Sequence, residues 1–105
     1  MTAAGITTAR MLLRLYVVAG APNSIAARAN LAAILARVGK ESYALEIVDC
    51  VTDPHRALKE GVLVTPTLVK LAPDPAQTIV GSLSDRNGVA AALGLVIGTD
   101  SPTNE

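Results

Sequence analysis

The hydrophobic pattern changes period several times along the chain, and each change marks an element. Met11-Leu12-Leu13-Arg14-Leu15-Tyr16-Val17-Val18 is a nearly continuous apolar run of strand length. Such a run predicts a central strand covered on both faces. Gly20-Ala21-Pro22-Asn23-Ser24 follows with loop chemistry, and Ser24 is the expected N-cap of the next helix. Ala27, Leu31, Ile34, Leu35 and Val38 then recur at helical spacing as one apolar stripe, with Asn30 and Arg37 opposite. Gly39 is placed to stop that helix. Residues 43–49 read as a second strand with Glu46 as a polar interruption. Strand, helix and strand in this order predict a right-handed crossover between parallel strands.

Asp53-Pro54 opens the second half with a cap and a proline at the first helical position. A short helix over 54–60 is expected, ended by Gly61. Thr65-Pro66 stands before an alternating strand at 67–71. Proline donates no backbone hydrogen bond, which confines it to strand starts, edges or bulges, and an X-Pro bond there is a candidate for the cis form. The Pro73-Asp74-Pro75 turn leads into a hairpin partner at 77–81. Ser84 and Asp85 offer caps, Asp85 also placing a negative charge at the start of a last helix over 86–97. Gly88 and Gly94 fall inside that helix, each costing about 1 kcal/mol against alanine. Leu95-Val96-Ile97 would suit a strand equally well, and Val62-Leu63-Val64 suits a strand or a turn. The predicted order is β-α-β-α-β-β-α over residues 10–98, with flexible tails at 1–9 and 99–105. A strand entered through Thr-Pro after a β-α-β unit is the arrangement of a thioredoxin-like fold, yet the Cys-x-x-Cys of thioredoxin chemistry is absent.

Composition narrows the function. A chain of 105 residues, 50% hydrophobic and 17% charged, is one folded domain. With two Tyr and no Phe or Trp, its core must be aliphatic. Nine basic against nine acidic residues and so few rings argue against nucleic acid as a partner. No apolar window reaches the roughly 18–20 residues of a membrane span, and residues 1–9 lack the features of a signal peptide. The lone Cys50 excludes an internal disulfide and fits a reducing compartment. A soluble cytoplasmic protein is expected.

No catalytic constellation emerges. Cys50 ends the second strand, away from the strand-to-helix turn where a redox thiolate sits, and reads as structural. His55 has no visible metal partner and reads as a surface residue. Asp49 and Asp53 read as strand-end and cap residues, not as paired catalytic carboxylates. Tyr16 is expected in the core with its hydroxyl reaching the surface. No metal or cofactor is expected.

The ordered set Leu15-Tyr16-Val17, Pro22-Asn23-Ser24, Tyr43-Ala44-Leu45, Pro54, Thr65-Pro66-Thr67-Leu68, Pro73-Asp74-Pro75 and Gly81-Ser82-Leu83-Ser84-Asp85-Arg86 resembles the KaiB family of the bacterial circadian clock system. The resemblance implies a non-enzymatic regulator that binds a KaiC-type ATPase in circadian, timer or stress signalling. It also implies a metamorphic chain. A thioredoxin-like state alternates with a homo-oligomeric ground state, dimer or tetramer, whose C-terminal half is arranged differently. The implied partner-binding or fold-switch positions are Tyr16, Pro22, Asn23, Glu46, Thr65, Pro66, Pro73, Pro75, Gly81 and Asp85. Departures stand out at Ala26, Gln77 and Thr78, where clock-type members carry basic residues. Glu46 stands where they tend to carry Lys, Ser82 where they tend to carry Asp, and Ala92 and Gly94 where small or acidic residues vary. The pattern is that of a divergent member. Two alternatives compete with it: a degenerate thiol oxidoreductase using Cys50, and a stand-alone thioredoxin-like sensor module of a signalling kinase.

Overall fold

Alternation along β1 (Met11–Val17) decides how the molecule is layered. In the computed structural model, which describes residues 10–95, Met11, Leu13, Leu15 and Val17 are buried on one face of the sheet. Leu12 and Arg14 lie on the other face with Tyr16, and of these Tyr16 alone is buried. The apolar run therefore does not mark a strand covered throughout on both sides. The second cover reaches only the Tyr16 end.

The elements follow in the expected order: β1, α1 (Pro22–Leu35), a single 3-10 turn (Lys40–Ser42), β2 (Tyr43–Asp49), α2 (Pro54–Lys59), β3 (Thr67–Ala72), β4 (Gln77–Val80) and α3 (Arg86–Ala92). The sheet order is β2-β1-β3-β4, with β2 parallel to β1 and the other two pairings antiparallel. This is a mixed α/β thioredoxin-like arrangement. Helices α1 and α3 pack on the Leu13–Leu15 face. Ala27, Leu31, Ile34, Leu35, Val89, Ala90 and Leu93 close a core there with Leu68 and Leu83. Fully burying one such aliphatic side chain contributes about 1.5–3 kcal/mol. A smaller cluster of Tyr16, Val48 and Ala57 lies under α2 on the opposite face.

Helix ends correct several expectations. Ser24 is not an N-cap. Helix α1 begins at Pro22 with Ala21 as N-cap, and the buried Ser24 hydroxyl instead accepts from the Val18 N–H at 3.0 Å. Proline at the first position spends none of the free N–H groups, so the helix can start without a side-chain cap. Its end also comes early, at Leu35, where the Arg37 and Val38 N–H groups donate three residues back, to the Ile34 and Leu35 carbonyls, in a narrower turn. Gly39 has φ −67°, so it does not supply a left-handed stop. Asn30, expected opposite the stripe, turns toward α3 and donates to the Ser82 carbonyl at 2.8 Å.

Gly61 ends α2 as expected, with φ +74°. The Gly61 and Val62 N–H groups bond the Leu58 and Ala57 carbonyls at 3.1 and 2.9 Å, a Schellman stop. The same device shortens α3. Gly94, expected inside the helix, has φ +79°, and with Leu95 it bonds the Ala91 and Ala90 carbonyls. The remainder of the expected last helix, including Val96 and Ile97, and both expected tails lie outside the described residues. Asp85 caps α3 by accepting from the Gly88 N–H at 3.0 Å. Asp53 precedes α2 but makes no side-chain cap bond.

Candidate partner-binding site

Two groups of side chains meet on the sheet face that α2 half covers. Arg14 interrupts the apolar run of β1 and is partnered across the parallel ladder by Glu46 of β2. The Arg14 Nε donates to Glu46 at 2.9 Å, and its Nη1 donates to Glu60, just past α2, at 2.7 Å. Arg56 of α2 donates to both Glu46 oxygens at 2.6 and 2.9 Å. The Tyr16 hydroxyl donates to Glu60 in a short contact. Two guanidiniums, two carboxylates and a phenol thus tie α2 to β1 and β2. Bidentate, charge-assisted pairing of this kind fixes geometry as well as charge.

The titration behaviour follows from those partners. Hydrogen bonds from Arg56, then Arg14, hold the Glu46 carboxyl at about 2, well below the ordinary range. Hydrogen bonding from Tyr16, then Arg14, lowers Glu60 as well. Burial first, and then the Glu60 contact, raises the Tyr16 phenol.

Past Glu60 the chain presents Val62-Leu63-Val64. Its two ends are pinned, by the Val62 N–H on the Ala57 carbonyl and by the Thr67 hydroxyl on the Val64 carbonyl at 2.7 Å. Between those pins Leu63 is 88% exposed. Beside it lies an open groove of about 450 Å3 floored by Val69, Leu71, Thr78 and Val80. Leu71 and Val80 are themselves exposed. A contiguous apolar surface of this kind is the ordinary mark of a docking face.

The expected site residues fall into separate groups. Tyr16 and Glu46 belong to the ionic network. Thr65-Pro66 leads into β3 through a cis bond, and the Pro66 carbonyl accepts from the Gly81 N–H at 3.0 Å. Pro22 and Asn23 stand exposed at the start of α1, at the same end of the sheet. Asp85 caps α3. Pro73 and Pro75, both after cis bonds, form the β3–β4 turn at the opposite end. The structure therefore links Tyr16 and Glu46 through Arg14, brings Pro66 to Gly81, and leaves Pro73 and Pro75 apart. Arg14, Arg56 and Glu60 were missed by sequence reasoning. The signal was present: Arg56 and Glu60 are four residues apart, as neighbours on one helix face are, and Arg14 breaks an apolar run.

Cys50 packs half-buried against the Tyr16 cluster. Burial, then the carboxylates of Asp49 and Asp53, push its thiol up, the opposite of what a nucleophilic cysteine needs. The β1–α1 turn, where a redox pair would sit, holds Pro22 and Asn23. Asp49 accepts from the Val51 N–H at 2.9 Å, a strand-end role. His55 is exposed. Among the described residues no cluster of His, Cys, Asp or Glu could hold a metal ion. No described helix is long and apolar enough to cross a membrane.

Comparison with known proteins gives this geometry its context. Residues 14–95 match the KaiB domain. The circadian clock oscillator protein KaiB of Prochlorococcus marinus is 41% identical over 85 residues, covering 81% of this chain and 73% of that protein. Among solved structures, the N-terminal domain of Synechococcus elongatus SasA superposes with a TM-score of 0.65 at 27% identity, covering 87% of this chain and 90% of that one. Mitochondrial thioredoxin 3 of Saccharomyces cerevisiae superposes at 0.66 with 12% identity, covering 86% of this chain and 83% of that one, a likeness of fold alone. With the domain match spanning most of its length and its frame that of thioredoxin, the chain belongs to the KaiB family.

Proposed function

We propose that this chain is a non-enzymatic KaiB-type regulator that binds a KaiC-type ATPase through its thioredoxin-like state. The observation that carries this reading is a thioredoxin frame whose redox turn is occupied by Pro22 and Asn23, with an exposed apolar surface around Leu63. Binding needs such a surface and no reactive group. The raised Cys50 thiol weighs against a degenerate oxidoreductase.

The same proposal includes a second packing of the C-terminal half, in which the chain associates as a homodimer or homotetramer. Helices of six and seven residues, α2 and α3, support it. Helices that short are marginal alone and exist through tertiary contacts, so another set of contacts can replace them. A partner preferring one packing then draws the population toward it. Size-exclusion chromatography with light scattering, on the purified chain mixed with the KaiC-type ATPase of its own organism, tests the binding. A complex in at least one nucleotide state is expected. Failure to bind with ATP, ADP and no nucleotide alike sinks the reading.

A further inference from the structure

A depression of about 330 Å3 lies between α1 and α3, on the helical side of the molecule and away from the ionic network. It is lined by Ala33, Ile34, Arg37, Arg86 and Asn87. Its two arginines differ from the others with known partners. Arg14 and Arg56 are spent on carboxylates, and Arg10 donates to the Tyr43 carbonyl. Among the described residues, neither Arg37 nor Arg86 meets a carboxylate within ion-pair distance.

Arg86 is also held in place. Its Nε donates to the Asn30 Oδ1 at 2.9 Å, and the Asn30 amide is anchored on the Ser82 carbonyl at 2.8 Å. Anchoring through Nε and neutral amides leaves the two terminal nitrogens with no acceptor among the described residues. A guanidinium fixed in this way presents a planar pair of donors, the geometry that suits a tetrahedral oxyanion. The nearest acid in sequence, Asp85, turns its carboxylate to the Gly88 N–H and does not line the depression. Ala33 and Ile34 give the depression an apolar wall beside the two exposed guanidiniums.

We infer that this depression is a binding site for a phosphate group, with Arg37 and Arg86 as the charged donors and Asn87 as a neutral one. The group is either free inorganic phosphate or a phosphate monoester on a side chain. It is distinct from the apolar groove and depends on no property of the ATPase partner.

The test is NMR titration of the full 15N-labelled chain, following arginine Nε–Hε and backbone amide signals. Inorganic phosphate and a short phosphoserine peptide are added in separate series, with sodium chloride at matched ionic strength as control. Saturable shifts confined to Arg37, Arg86 and Asn87 are expected. Arg37→Ala, an exposed position past the end of α1, should weaken binding about tenfold or more, the scale of a lost charge-assisted bond. Arg37→Lys should retain part of it. Tighter binding of the phosphopeptide assigns the site to a phosphorylated side chain, and equal or weaker binding assigns it to the free anion. Shifts that sodium chloride reproduces, that never saturate, or that survive Arg37→Ala unchanged would overturn the inference.

Discussion

Gly88 shows how one position can contradict its propensity. A glycine inside a seven-residue helix costs about 1 kcal/mol against alanine, yet a Cβ at Gly88 would collide with the Asp85 carboxylate that caps the helix. Loss of such a cap costs about 1 kcal/mol as well. Gly88→Ala should therefore leave stability nearly unchanged in the native chain, and stabilise it by about 1 kcal/mol once Asp85→Ala has removed the cap. Urea unfolding of the four-member cycle reads the coupling; simple additivity would refute the collision. Glu46 gives a second case. Its folded-state value lies at about 2, against 4.5 for a free side chain. The stabilisation it brings is thus complete above about 4.5 and is lost as pH falls toward 2. The gap in melting temperature between the native chain and Glu46→Gln should hold from neutral pH down to about 4.5 and close below it. A gap that is constant down to pH 2 would show that the charge of Glu46 is not what matters. Tyr16 acts in the opposite sense: its raised phenol favours the folded state below pH 10, and that contribution fades at higher pH.

Which elements form, and in what order, could be read from the sequence, because periodicity and glycine–proline punctuation are local signals. Their ends were read less well, for reasons specific to each. Ser24 has the residue type of a cap, but the tight turn from Val18 to Ala21 delivers its hydroxyl to a preceding N–H. Gly94 looked like a defect within a helix and is its terminator, because only the backbone dihedral separates the two roles. The Schellman stops at Gly61 and Gly94 carry their own consequence. An L side chain in the left-handed region is unfavourable by roughly 1–2 kcal/mol, so Gly61→Ala or Gly94→Ala should each destabilise by about 1 kcal/mol. For Gly61→Ala, amide exchange should quicken most in α2, which supplies the bonded carbonyls. Equal exchange across the chain would mean that α2 does not open as a separate unit. The ionic network was hidden for another reason. Arg14 and Glu60 are 46 positions apart, and no local pattern encodes such a meeting. It also changes the meaning of the charge at Glu46. The half-exposed carboxylate is engaged within the chain by Arg14 and Arg56, so its charge is partly balanced before any partner meets it.

At the level of the folded chain, chemistry and surface are separated. The core is aliphatic and closed by α1 and α3, while the opposite face is left open beyond α2, with Leu63, Leu71 and Val80 exposed. If that face receives the ATPase partner, Leu63→Asp should weaken the complex at least tenfold, as loss of a well-placed anchor does. The melting temperature should barely move, since an 88% exposed side chain contributes little to the core. Unaltered binding in this variant, with the complex itself intact, would move the docking surface elsewhere.

Strand order carries a last implication. Beta strands β1 and β2 and helix α1 all come from residues before Cys50, and β3, β4 and α3 all come after it. Among the described residues, the single ladder between these two portions is β1–β3, and it already slips register between Leu12 and Leu13. The molecule therefore has one line along which its backbone could be unzipped. Parting it would leave every hydrogen bond of the parallel β1–β2 pair in place. What would still join the two portions is side-chain contact: the α1–α3 core, the Asn30 bonds to Ser82 and Arg86, and the ionic network on α2.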